Sequence, residues 1–407
     1  MEPGNQPGGD RSGHQRIVYY LFLIGFFAIF STTISKNPVL PLYAHALQAS
    51  DATLGIIAAV SPFAGIVFSF PVGVLSDRIG KRKLLIASGL VLLLAPLSYL
   101  LITSAVLLIP IRFFHGLGTA ILGPVASAII VERFPGRRGE MLGKYSSATL
   151  IGRSSAPLTG GIVISLFAFS PGLISYQAVY ILAFLAAVPV FFLTLLYSDP
   201  SGENRNSLQP GDLAHSFRTF FGDRILRSTA LVEMASYFSF GAFETFLPVY
   251  LLGKGFAAYE IGILFSVQVV LIALTKPLFG QMADRIDPRV QIVTGLFLMS
   301  GPVALIPLMS GFGSFIILSI ITGLGLSLST VATGSFIAGI ARKKEIGASM
   351  GALSATMDIG HSLGPLVTGL VIGTGAHYSL GFSLGFLLAF VAGTVFVLSV
   401  YSGRDSR

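Results

Sequence analysis

Long apolar runs separated by short polar joints dominate the chain. A membrane-crossing helix needs about 20 mostly apolar residues, and the sequence divides into twelve such spans: Ile17–Leu47, Thr53–Leu75, Leu84–Ile102, Ala105–Val131, Met141–Phe167, Tyr176–Tyr197, Arg227–Leu252, Tyr259–Ala283, Val290–Ser310, Ser314–Ile340, Ser349–Ile372 and Leu380–Tyr401. The first sixteen residues are polar and rich in Gly and Pro. The span behind them is too long and too poorly flanked for a cleaved signal peptide, so it is expected to stay. The longest polar stretch carries Asp199-Pro200-Ser201-Gly202 and Gln209-Pro210-Gly211. It predicts a cytoplasmic linker, 198–226, between an N-terminal six-helix half (1–197) and a C-terminal one (227–407). Within it, Leu213 to Leu226 mixes Phe217, Phe220, Phe221 and Ile225 with charges, the pattern of a short helix lying at the membrane interface.

Composition agrees with this division. Of the 407 residues 53% are hydrophobic and 11% charged, and the mean hydropathy is +0.81. A soluble domain carries charge on about a quarter of its residues, so a soluble enzyme is excluded. The absence of cysteine removes disulfides, thiolate metal sites, iron–sulfur clusters and cysteine nucleophiles. No histidines fall in an H-E-x-x-H pattern, and neither a metal nor a cofactor is expected. A net charge of +8 raises nucleic acid as a partner, but there is too little polar surface to hold a basic patch. Alternating the spans from a cytoplasmic N-terminus instead puts 21 of the 26 Lys and Arg residues inside and only Lys254 outside. That is the positive-inside bias of a multi-pass protein with both termini cytoplasmic. The lack of any N-x-[ST] sequon fits a plasma membrane of prokaryotic type, a bacterial inner membrane.

The two halves repeat. At an offset of 207 or 208, Leu40-Pro41-Leu42-Tyr43 meets Leu247-Pro248-Val249-Tyr250, and Gly73-Val74-Leu75-Ser76-Asp77-Arg78-Ile79 meets Gly280-Gln281-Met282-Ala283-Asp284-Arg285-Ile286. Gly116-Leu117-Gly118 meets Gly323-Leu324-Gly325, and Gly152-Arg153-Ser154-Ser155-Ala156-Pro157 meets Gly360-His361-Ser362-Leu363-Gly364-Pro365. Two parallel halves are what a transporter alternating about a midline site would show.

On these residues the chain resembles the major facilitator superfamily over nearly its whole length. The signature loop of that family is matched by Gly73, Asp77, Arg78, Gly80, Lys81 and Arg82, with a degenerate copy in Gly280, Asp284 and Arg285. Arg112 to Ala120 resembles the fourth-helix motif of its drug:proton antiporters, and Gly152 to Gly161 their fifth-helix motif, with Ala156-Pro157 for the usual Gly-Pro and Arg153 as an added charge. The resemblance implies an all-α membrane protein of twelve helices in two pseudo-symmetric six-helix bundles. It also implies that the third, sixth, ninth and twelfth spans face lipid, and these carry no charge between their ends.

Ionisable groups inside a bilayer are costly and are therefore functional candidates. Lys36, Arg112, His115, Arg153, Glu244, Lys276, Asp358 and His361 are assigned to a substrate and proton pathway. Lys36 precedes Asn37-Pro38, where missing backbone bonds are expected to break the helix. Arg112, His115 and Thr119 share a helix face. Arg153 and His361 hold equivalent repeat positions, either as cavity residues or as a pair tying the halves together. Asp358 and His361, three apart, either relay a proton or bond to each other, whereas Glu233, nearer the cytoplasmic end, is expected to be solvated. Asp77 is expected to accept backbone N–H groups at a helix start and to pair with an Arg, as a cytoplasmic clamp. The small residues Gly152, Ala156, Gly160 and Gly161, with Pro157, and Gly360, Gly364 and Pro365 are expected to form close and sliding helix contacts. Tyr43, Phe114, Tyr237 and Phe246 either line the cavity or pack.

The expected function is proton-coupled secondary transport, with the proton gradient as energy source and no ATP-binding loop. The bases outnumber the acids, which favours anionic or zwitterionic cargo, and the leading expectation is export of small amphiphilic or anionic organic solutes by a functional monomer in the lipid bilayer. The alternatives are a symporter importing an organic anion and a non-transporting sensor or assembly protein. A membrane enzyme ranks lowest, since no nucleophile–base pair stands out.

Overall fold

The computed structural model describes residues 11–134, 136–197, 218–283, 285–341, 346–375 and 377–402. Helix α1 (Arg11–Ile34) and helix α2 (Val39–Ala46) together make the first crossing. Pro38 has no N–H to donate, and the helix breaks at residues 35–38 as the sequence predicts. The turn is held by Asn37 N–H donating to Thr33 O at 2.9 Å and Leu40 N–H to Lys36 O at 2.9 Å. The remaining helices of the first half are α3 (Asp51–Ile79), α4 (Lys81–Leu100), α5 (Leu108–Arg133), α6 (Arg138–Leu166) and α7 (Ile174–Leu196). Those of the second are α8 (Arg224–Gly253), α9 (Ala258–Ala283), α10 (Pro288–Leu305), α11 (Phe312–Ile340), α12 (Ile346–Gly373) and α13 (Tyr378–Ser402). With α1 and α2 counted as one, this makes twelve crossings, and no strand occurs among the described residues.

Among the described residues, nine of these crossings are long and apolar enough by composition alone to span a membrane, and α6, α8 and α12 are not among them. Those three bring Arg153, Glu233, Glu244, Asp358 and His361 into the bundle. Their polarity is the mark of helices that face an aqueous interior rather than lipid.

Local chemistry sets the joints. Gly80, at φ +93°, turns α3 directly into α4, a conformation that L side chains rarely adopt. Asp77 lies in the last turn of α3, and α4 starts after Gly80. The side chains of Gly73, Asp77 and Arg78, and Asp284 entirely, lie outside what is described. Lys81 is more than a topology signal: it is buried and pairs with Glu132 at the end of α5 at 2.5 Å. Arg82 donates to Leu195 O on α7. Just before the sixth of these helices' membrane span, Arg137 and Lys144 flank Glu140 and hold its carboxyl down to about 2, so it stays ionised at any physiological pH. The interface helix expected over Leu213–Leu226 falls partly outside the described residues. Its last residues belong to α8, because Asp223 caps a new helix by accepting from Ile225 N–H at 2.8 Å and Leu226 N–H at 3.0 Å.

The halves meet along two helix pairs, α3 with α12 and α6 with α9. Both contacts are backbone-close. A Cβ on Gly262 would meet Pro157 O at 2.6 Å, one on Gly369 would meet Asp51 O at 2.5 Å, and Gly55 and Gly161 are equally tight against Pro365 O and Ala258 O. Hydrogen bonds reinforce this seam: Tyr259 N–H donates to Ser165 Oγ at 3.1 Å, Leu158 N–H to Ser266 Oγ at 3.0 Å, Ser362 Oγ to Ala59 O at 3.0 Å, and Tyr378 Oη to Asp51 Oδ1 at 2.9 Å. All lie at the bundle's middle or at the end opposite the chain termini. Toward the other end, Gly139, Gly143, Gly339 and Gly351 are exposed and have no described atom within 4 Å of where a Cβ would stand.

This corrects the expected sliding surfaces. Gly152 and Gly160 of α6 press on Phe26 O, Ile34 and Val39, and Gly360 and Gly364 of α12 press on Met234 O and Phe238 O, each within its own half. The seam uses the neighbouring faces of the same helices, with Pro157 and Gly161 on α6 and Pro365 on α12.

Candidate substrate cavity

Between the halves lies a cavity of about 410 Å³, within the usual range for a small-molecule site. Its walls come from α1, α3, α5, α6, α8, α9, α11 and α12. The third, sixth, ninth and twelfth crossings, α4, α7, α10 and α13, contribute nothing. Lys36, Arg112, His115, Arg153, Glu244, Lys276, Asp358 and His361 all line this one space.

At its centre Glu244 of α8 gathers donors from both halves. Lys36 Nζ donates to Oε2 at 2.7 Å, Asn37 Nδ2 donates to Oε1 at 2.7 Å, and His361 Nε2 lies 2.9 Å from Oε2 and 3.2 Å from Lys36 Nζ. Lys36 and Glu244 are 208 positions apart and Asn37 and Glu244 are 207, the offsets of the internal repeat. At the offset of 207 that holds in this part of the chain, Glu244 is the repeat equivalent of Asn37, and Lys36 is the residue before it. The break after α1 matters here, since it turns the chain so that Lys36 and Asn37 both reach one carboxylate.

His361 pairs with Glu244 rather than with its expected neighbours. Among the described residues Asp358 forms no hydrogen bond to His361, and Arg153 forms no ion pair with it. Asp358 and Arg153 are left facing the cavity without a hydrogen-bonded partner among the described residues. Arg112 is 3% exposed, its Nε has no hydrogen-bond partner among the described residues, and its guanidinium lies against Tyr99. His115 beside it lies 3.4 Å from Tyr99 Oη through Nδ1, with Nε2 unpartnered. Behind them Tyr43, Tyr99 and Tyr180 form an aromatic cluster, with Tyr99 and Tyr180 stacked at 4.4 Å. Tyr43 and Phe246 are packing residues with no exposure, Phe114 faces outward, and Tyr237 joins Phe240 and Phe265 in the cavity wall.

Glu233 departs most from expectation. It is 4% exposed rather than solvated, because α11 covers it and Thr333 Oγ1 donates to its Oε2 at 2.7 Å. Lys276 lies within electrostatic range. Position along a span gave its depth but not the helix that covers it. Asn37 was likewise passed over as a helix breaker, although the repeat offset of 207 to Glu244 was a signal that could have found it.

Charge is divided between the halves. Lys36, Arg112 and Arg153 come from the first, and Glu233, Glu244 and Asp358 from the second, where Lys276 and His361 are the bases among the described cavity residues.

The model of the family described as the Major Facilitator Superfamily matches residues 21–267 and again 229–406. An MFS-type transporter of Methanocaldococcus jannaschii is 23% identical over 337 residues, covering 82% of this chain and 86% of that one. Multidrug resistance protein 2 of Bacillus subtilis is 23% identical over 380 residues, covering 90% of this chain and 92% of the other. Among solved structures, a bacterial homologue of the human lysosomal transporter Spinster, in an inward-facing and unoccupied conformation, superposes with a TM-score of 0.78 at 17% identity, covering 98% of this chain and 99% of that one. A twelve-crossing bundle with a charged cavity on its seam, matched by this family over almost all its length, belongs to the Major Facilitator Superfamily and is an integral membrane transporter rather than an enzyme.

Proposed function

We propose that the chain is a proton-coupled exporter of small amphiphilic organic solutes carrying negative charge, working by alternating access as a monomer in a plasma membrane. Its halves, 1–197 and 227–407, rock about the cavity, with the linker 198–226 and both termini on the cytoplasmic side. The observation that carries this reading is the Lys36–Glu244 pair, a 2.7 Å ion pair between the halves at the bundle's midline. A proton on Glu244 removes the charge that holds Lys36, so protonation and the relation between the halves are linked at one atom. The backbone-close seam contacts at the end opposite the helix ends Arg11 and Ser402 support reading this as a cytoplasm-facing state. The multidrug designation of the Bacillus relative supports export.

One observation favours the reverse direction. Protonating Glu244 frees Lys36 for an anion, which lets proton and anion bind together as in a symporter. Proteoliposome flux decides between them. An imposed pH gradient is expected to drive solute opposite to the proton, and a protonophore to abolish it. Solute moving with the proton establishes the symporter, and flux indifferent to the gradient ends the coupling claim.

A further inference from the structure

The division of charge in the cavity narrows the cargo. Lys36 is held by Glu244 at 2.7 Å, whereas Lys276 forms no ion pair among the described residues and lies within electrostatic range of Arg153 and of the Thr333-bonded Glu233. Two guanidiniums, Arg112 and Arg153, then remain on the first-half wall, and on the second-half wall Lys276 and Asp358, whose carboxylate has no hydrogen-bonded partner among the described residues. Neither Arg153 nor Asp358 has a hydrogen bond or ion pair among the described residues, and Arg112 is buried with its Nε unpartnered. A buried guanidinium edge without an acceptor is costly unless an anion completes it. Tyr237 lies within electrostatic range of both Arg153 and Asp358, and with Phe240 and Phe265 it supplies an aromatic wall.

We propose that the cargo is a small zwitterion, whose anionic group faces Arg112 and Arg153, whose protonated amine sits on Asp358, and whose apolar body lies against Tyr237, Phe240 and Phe265. This rests on the transporter reading above and adds the second, cationic pole. A purely anionic cargo leaves Asp358 unmatched, and a purely cationic one leaves the two arginines so. The zwitterion satisfies both walls, and because those walls belong to different halves it spans the seam that alternating access must work against.

The test is binding by the purified full-length protein, measured by calorimetry with matched sets. Each set holds an amino acid, its N-acetyl form and its methyl ester, built on phenylalanine, leucine and γ-aminobutyrate. Each lost charge-assisted contact is worth on the order of tenfold in Kd, so the tightest zwitterion is expected to bind at least about tenfold better than both of its capped forms. Asp358→Asn is expected to remove the advantage over the N-acetyl form while leaving that form's affinity unchanged. Arg153→Gln is expected to remove the advantage over the ester. Neither variant strands a paired partner, so both should fold. Capped forms that bind as tightly as the zwitterion, or no binding by any member, overturn the assignment. If the N-acetyl anion binds equally well and still moves under a pH gradient, the zwitterion assignment fails and the transporter reading stands; if the gradient moves no member, the transporter reading fails as well.

Discussion

Replacing Glu244 with alanine is expected to destabilise the protein more than any other single change in the cavity. It removes the acceptor for Lys36 and Asn37 and the partner of His361, and it leaves the ammonium of Lys36 uncompensated. Stranding one partner of a buried ion pair costs roughly 3–5 kcal/mol. The side chain of Lys36 keeps 26% exposure to the cavity, so screening by water places the effect toward the low end of that range. Lys36→Ala should cost less than Glu244→Ala, because the carboxylate it leaves behind still accepts from Asn37. The double variant should be more stable than the sum of the two losses predicts, the signature of a direct pair. Thermal unfolding of the four proteins in detergent checks this. Strict additivity would mean that the two residues do not interact. Glu244→Gln, which keeps the shape but not the charge, still leaves Lys36 uncompensated, so it should lose somewhat less stability than Glu244→Ala by keeping an acceptor, and should lose gradient-driven flux.

The second large effect belongs to the seam. Gly161→Val and Gly55→Val place side chains against the backbone carbonyls of Ala258 and Pro365, obstacles that cannot swing aside. Overpacking costs about 1–3 kcal/mol in the structure shown here. The protein can escape by opening that seam, so the expected result is a modest loss of stability with a collapse of transport by about tenfold or more, since each 1.4 kcal/mol of bias is tenfold in population. Gly360→Val has no such escape, because its obstacle, Met234 O, lies within the same half. It should unfold at markedly lower temperature. Gly301→Ala, with open space around it, is the control expected to change nothing. If Gly161→Val and Gly360→Val lowered stability equally, the distinction between a moving seam and a fixed contact would be lost.

Much of this was readable in the chain because the membrane forces a simple code. Apolar length set the crossings, and the depth of each charge separated Arg78 or Arg289 from Arg112 and Glu244. The repeat offset contained the central pair, since Asn37 and Glu244 are related by it and Lys36 precedes Asn37. Other features needed three dimensions. Glu233 reads as a near-surface acid until Thr333, 100 positions away, is seen to cover it. The stripe Gly152, Ala156, Gly160 announces a close helix contact but not which neighbour makes it, and a shift of one residue to Gly161 changes the partner from α1 to α9. His361 is equally able on paper to join Asp358 or Glu244, and the packing of α12 on α8 selects Glu244.

The central claim is a single cavity, exposed to one side of the membrane at a time. The chain has no cysteine, so Thr33→Cys places one thiol in the cavity wall of an otherwise unreactive protein. Labelling with a membrane-impermeant maleimide, from each side of oriented vesicles in turn, measures the exposure. The thiol should react from the side of the chain termini and be protected from the other, and adding Gly161→Val should shift reactivity toward the opposite side. Reaction from both sides at full rate in the unaltered seam would describe an open channel, and reaction from neither side would describe a sealed bundle; either result contradicts the account.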